Sequence, residues 1–211
     1  MKTINVPLLK NLADTDLDTA LETMGSRFDV NEVNWPDEFP YAPICAGRIA
    51  RTEESLVIDF RVSGMDLRAC NLEDNGTQWE DSCVEFFVQD PSGKCYYNFE
   101  TNPRGKVLAA AGSCRSDRVM RPSSEMEEII RLVTPEDIVE SEGGIRSWRV
   151  TLLIPFTLIG ADPENLPERL RANFYKCGDM TPHPHYLSWN PVGTPRPDFH
   201  RPEFFGELVL V

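Results

Sequence analysis

Residues 78–105 read QWEDSCVEFFVQDPSGKCYYNFETNPRG and concentrate the side chains that could do chemistry: Trp79, Glu85, Asn98 and Glu100. An aromatic ring beside two carboxylates and an amide offers a flat apolar surface with several fixed hydrogen-bonding groups, the makings of a shallow ligand site. Two carboxylates on adjacent strands can also come within the roughly 5 Å that separates the acid and nucleophile of a retaining glycosidase. Which chemistry applies depends on the elements that position them.

Side chains in a strand alternate faces with a period of two. Over 82–89, Val84, Phe86 and Val88 share one face, and Cys83, Glu85, Phe87 and Gln89 the other. Asp90, Pro91, Ser92 and Gly93 supply turn chemistry. The return run 95–101 sets Tyr97, Phe99 and Thr101 against Tyr96, Asn98 and Glu100. With the apolar sets in one core, Glu85, Asn98 and Glu100 share the opposite, solvated face, where a single Glu would be commonplace.

The pattern predicts further strands at 42–50, 55–63, 106–111, 145–154, 170–177, 185–190 and 205–211, with a short one near 129–133 inside an irregular excursion over 112–142. Helix is expected at NLADTDLDTALETM, residues 11–24, and as one turn at 156–159 after Pro155. Asp59, Arg61, Glu85, Asn98, Glu100, Arg149, Thr151, Arg171 and Asn173 all fall opposite the apolar positions of their strands. They predict one polar sheet face, on which opposite charges pair or planar groups such as Arg171 line a site. Many short strands, little helix and no Rossmann or P-loop glycine motif specify an all-β, antiparallel, jelly-roll-like β-sandwich. Residues 1–42 read as an N-terminal arm packed on the domain, and 43–211 as a single sandwich.

With 34 acidic and 21 basic residues, the formal charge is -13. That balance opposes a phosphate backbone and an anionic membrane surface, so neither nucleic acid nor membrane is an expected partner. No window is apolar enough for a membrane span, and MKTINVPLLKNLADTD lacks a signal core, which places the sequence as it stands in the cytoplasm, or outside the cell if a signal has been removed. The six cysteines are scattered, with no CxxC pair, and read as thiols rather than as a zinc site. His183 and His185, spaced by prolines, predict an exposed loop.

Several segments, in order, resemble the family 9 carbohydrate-binding modules: WEDSCVEFF with Trp79 and Glu85, YYNFETNPRG, WRVTLLIPF, RANFYKCGD, then YLSWNP with Trp189 and FHRPEFFGELVL with Gly206. The resemblance covers 43–211, apart from the insert after Gly112. It implies non-catalytic binding of a mono- or oligosaccharide, with a terminal ring stacked between two tryptophans and its hydroxyls held by charged and amide side chains. Trp79 matches the first stacking position, and Trp189 is the natural second. Asn98 falls where the family places an Arg, so Arg171 or Arg104 would have to supply the charged donor. Family members also carry structural calcium, which leaves room for that ion here. Two other readings stand beside this one: a cytoplasmic interaction or structural domain, and a glycoside hydrolase using Glu85 and Glu100.

Overall fold

In a computed structural model of the chain, residues 1–10, 12, 15–135 and 141–211 are described, with the side chains of 141–143 left aside. The alternation becomes two stacked sheets. The nine-stranded sheet runs β1 (Thr3–Val6), β14 (Gly206–Leu210), β12 (Arg169–Cys177), β6 (Cys83–Gln89), β7 (Tyr96–Thr101), β8 (Val107–Gly112) and β9 (Val119–Met120). To it belong β13 (Tyr186–Ser188), which pairs with β12, and β3 (Glu32–Val33), which pairs with β13. The five-stranded sheet runs β10 (Ile130–Thr134), β11 (Ser141–Pro155), β5 (Ser55–Leu67), β4 (Ile44–Arg51) and β2 (Ser26–Asp29). Among these strands pairing is antiparallel except between β1 and β14, which run parallel with Thr3 opposite Glu207 and Val6 opposite Leu210. The sandwich is all-β, with a jelly-roll-like layering.

The apolar faces meet as expected. Val84, Phe86, Val88 and Phe99 from one sheet pack against Ile58, Phe60, Trp148, Val150 and Leu152 from the other. Phe28 stacks on Phe174 with ring centroids 4.1 Å apart. The hairpin turn closes as its residues predict: Asp90 accepts from the Cys95 amide at 2.9 Å, and Gly93 takes a φ of +71° that an L side chain resists.

The polar face splits in two. Asp59, Arg61, Arg149 and Thr151 lie on the outside of the five-stranded sheet, Glu85, Asn98, Glu100, Arg171 and Asn173 on the outside of the other, because parity along a strand says nothing about which sheet the strand joins. The second of these faces is also covered rather than solvated. Cys83, Phe87, Tyr96, Tyr175 and Cys177 form a second apolar cluster there, capped by Trp35, Val192, Phe199 and Phe205. The outward parity of Phe87, Tyr96 and Tyr175 already demanded a cover, since large aromatic side chains favour burial.

Residues 1–42 supply β1, β2 and β3, so they add strands to both sheets. The helix α1 (Leu17–Met24) is capped by Asp16, whose carboxylate accepts from the Thr19 amide at 2.9 Å. Residues 11, 13 and 14 of the predicted helix lie outside the described residues, as do 136–140 of the predicted excursion; within that excursion lie β9, β10 and a single turn, α2 (Ser123–Met126). None of the described helices is long and apolar enough to cross a membrane.

Candidate functional site

Trp79 sits in a one-turn 3-10 segment, Gln78–Glu80, immediately before β6. The turn is held from both sides. Thr77 Oγ1 donates to the Glu80 carboxylate at 2.9 Å, while the amides of Asp179 and Met180 donate to the carbonyls of Trp79 and Glu80 at 3.0 and 3.1 Å. The ring is half-buried and packs on the second apolar cluster.

Glu85 and Glu100 stand directly opposite each other in the β6–β7 register, and on the other side of Glu85 the partner across β12 is Tyr175. Both residues are 3% exposed. Cys177 Sγ donates to Glu85 Oε1 at 3.0 Å, and Asn98 Nδ2 to Glu100 Oε1 at 3.1 Å. Arg118 Nη1 donates to Asn98 Oδ1 at 3.1 Å and lies 3.7 Å from Glu100 Oε1. Glu100 Oε2 is buried and has no hydrogen-bond partner among the described residues.

Burial, and then the charge of Glu100, push the Glu85 carboxyl well above its ordinary range. Burial raises Glu100 to about 7, against the pull of Arg118. Asp179 is raised as well, by burial, with a Tyr186 hydrogen bond opposing. Both glutamate shifts favour the protonated form, in which a carboxyl can donate as well as accept.

These groups line a small hollow of about 130 Å³ that opens to solvent. Its walls are Trp79, Glu85, Glu100, Cys177 and Asp179, with Arg115 and Arg118 from the insert after Gly112 and Tyr186, Pro197, Asp198, Phe199 and His200 from the C-terminal cover. His200 is neutral, its pKa lowered to about 3 by burial and by Arg118 and Arg115, and its Nδ1 lies 3.1 Å from Tyr96 Oη.

Of the residues singled out in the sequence, Trp79, Glu85 and Glu100 line the hollow, and Asn98 stands one hydrogen bond behind, between Glu100 and Arg118. Arg171 and Trp189 do not reach it. Arg171 has the right parity, but it lies four residues along β12 from Tyr175, roughly 13 Å of strand, and donates to the carbonyls of Glu203 and Phe205. Trp189 is 5% exposed in the core between the sheets, edge-on to Phe174. It fills a slot that Gly206 keeps open: a Cβ there would lie 2.4 Å from Trp189 Cζ3. Arg104 is spent on the Ala69 carbonyl at 2.7 Å. The guanidinium that does stand beside Asn98 is that of Arg118.

His185 corrects the expectation of an exposed loop. It is buried, donates through Nδ1 to the His183 carbonyl at 2.8 Å, and so presents Nε2 as acceptor to the buried Lys176 ammonium at 2.8 Å. No disulfide forms among the described cysteines. Calcium takes six to eight oxygen ligands. Among the described residues, the group of three metal-ligating side chains that lies close together is Cys83, Glu85 and Cys177, which offers a single carboxylate and does not suit that ion.

The sequence model of carbohydrate-binding family 9 matches residues 16–210. A crystal structure of a candidate carbohydrate-binding protein from Bacteroides uniformis ATCC 8492 is 32% identical, with a TM-score of 0.90 over 100% of this chain and 99% of that one. A family 9 module from Caldicellulosiruptor kristjanssonii in complex with glucose is 11% identical, TM-score 0.62, over 100% of this chain and 96% of that one. The module from the same organism with cellotriose is 12% identical, TM-score 0.62, over 99% and 93%. No curated protein matches the chain.

Proposed function

The chain belongs to carbohydrate-binding family 9, and on that footing we propose that it binds a mono- or oligosaccharide in the hollow beside Trp79 without turning it over. The apolar C–H face of a pyranose stacks on the exposed side of Trp79. Its hydroxyls are met by the Glu85 and Glu100 carboxyls, with Arg118 as charged donor and Asn98 holding Arg118 and Glu100 in register. The observation that carries this reading is the buried Oε2 of Glu100, a residue on the wall of the hollow, which has no partner among the described residues. A buried polar atom without a partner costs free energy that a ligand hydroxyl would recover.

In this reading the second face of the sugar meets the segment 197–200 rather than a second tryptophan. The carboxylates hold hydroxyls rather than cleave a bond, because they stand side by side on one wall, whereas a glycosidase pair must flank the scissile bond.

Glucose and cellotriose, the ligands of the Caldicellulosiruptor structures, are the first probes. Calorimetry with a panel of sugars should give saturable binding to the unmodified protein. Trp79→Ala should weaken it at least about tenfold while moving the melting temperature little, since removing a half-exposed ring leaves no sealed cavity. No heat with any sugar at millimolar concentration would sink the reading.

A further inference from the structure

Beneath the hollow, Cys83 and Cys177 face each other across β6 and β12 as direct register partners, and Glu85 is the next residue on Cys83's face of β6. All three are buried, and their donor atoms lie within 4.8 Å of one another. We propose that this is a site for a thiophilic divalent cation of the zinc class, held by the two thiolates and the Glu85 carboxylate, with its fourth position open to the hollow.

The geometry is close to what such an ion needs. Metal–ligand distances of 2.0–2.3 Å in a tetrahedral shell separate the donors by about 3.5–3.8 Å. Cys177 Sγ and Glu85 Oε1 stand at 3.0 Å and need only a small rotation apart. The backbones that carry the donors are central strands of the nine-stranded sheet, laddered on both sides, so the site is preorganised. Access exists from one direction: Glu85 and Cys177 line the hollow, while Cys83 is sealed behind them. Three protein ligands and one open position form the pattern of an exchange-competent zinc site rather than a closed structural one.

Donor chemistry selects the ion. Two thiolates favour zinc, cadmium and cobalt, while calcium and magnesium want oxygen. Loading releases the ligand protons to solvent. It also draws the Glu85 carboxylate onto the metal and away from the sugar-facing wall, so the cation and a saccharide compete for Glu85. That competition rests on the saccharide reading; the metal site itself does not.

The test is a cobalt(II) titration of the reduced full chain, with the exposed Cys70 and Cys114 replaced by Ser to remove adventitious thiols. The expected result is one saturable equivalent with a thiolate-to-cobalt charge-transfer band, bleached by zinc. Cys83→Ala and Cys177→Ala should each weaken cobalt binding at least about a hundredfold, more than the loss of an outer-sphere partner. Absence of the band at millimolar cobalt, or a band untouched by both alanine changes, overturns the site. If those variants fail to fold, zinc added to the chain with Cys83 and Cys177 intact decides: a rise in melting temperature at stoichiometric metal supports it, and none overturns it. No sugar enters these measurements, so their failure would leave saccharide binding untouched. A separate glucose titration with and without zinc reads the competition.

Discussion

The outer faces of the two sheets carry the same kinds of residue and end in opposite electrostatic conditions. On the five-stranded sheet, buried Asp59 accepts from Arg61 Nε at 2.7 Å, Arg149 Nε at 2.5 Å and Thr151 Oγ1 at 2.9 Å. The arginines continue into α1, Arg149 to both oxygens of Asp18 and Arg61 to Glu22. The Arg149 guanidinium is held above its ordinary pKa by Asp18 and Asp59, although burial opposes it. Each charge there meets an opposite one, and the helix closes the face. On the nine-stranded sheet the pairing is looser: Arg118 stands 3.7 Å from Glu100, Glu85 accepts from a thiol, the pKa values of Glu85, Glu100 and the adjoining Asp179 rise, and one oxygen of Glu100 has no hydrogen-bond partner among the described residues. A buried charge that is fully paired is architecture; one left short of partners is a surface prepared for something else.

Experiments that break one face and spare the other would sharpen this contrast. The largest effect should come from beneath both: Trp189→Ala removes a buried ring and should cost on the order of 3–5 kcal/mol in chemical denaturation, while the folded fraction keeps its sugar affinity. Asp59→Ala should cost roughly 2–3 kcal/mol, toward the low end for a broken buried pair because both arginines keep a path to water. A loss of sugar affinity in that variant would contradict the separation of the two faces.

Arg118→Ala should leave stability within about 1 kcal/mol and lower affinity about 10–100-fold, the worth of a charge-assisted hydrogen bond. Calorimetry beside a melting curve distinguishes those outcomes.

The smallest effect is in pH dependence. A carboxyl whose pKa is raised in the fold binds its proton more tightly there than in the unfolded chain. For Glu100 the stabilising contribution is complete below about 4.5 and lost as the pH rises to about 7. Glu100→Gln should flatten that part of the stability curve. His185 and His200, whose pKa values fall to about 2 and about 3 on burial, act in the opposite sense, losing stability as the pH drops below about 6.5. They are common to both proteins, so the difference between the curves reports the titration of the Glu85–Glu100 pair.

The contrast also marks what a sequence can carry. Period-two runs made β5, β6, β7, β11 and β12 legible, and the shared face of Glu85, Asn98 and Glu100 followed from the same parity, while the register that sets Glu85 opposite Glu100 came from the fold. Strands of two to four residues in the first forty positions have too few alternations to register, so β1, β2 and β3 were not legible. Arg118 was missed because its approach to Asn98 is made by an irregular insert with no period at all. The one available signal was the lack of a charged donor where the resemblance called for it. Trp189 misled for the opposite reason: a tryptophan after a short strand fits a stacking platform and a core plug equally well, and the slot at Gly206 that decides between them lies 17 residues away in sequence and is visible only in space.

The parallel pairing of β1 with β14 has a mechanical consequence. Thr3 through Val6 run alongside Glu207 through Leu210, and the bond from the Leu8 amide to the Val211 carbonyl extends the ladder to residue 211. Tension between residue 1 and residue 211 would drag these strands past each other along their length. The load would fall on the whole ladder at once, in shear, rather than opening one hydrogen bond after another as peeling does. A domain tethered through these two positions would resist extension while the hollow, built on β6 and β7 further into the sheet, stayed outside the line of force.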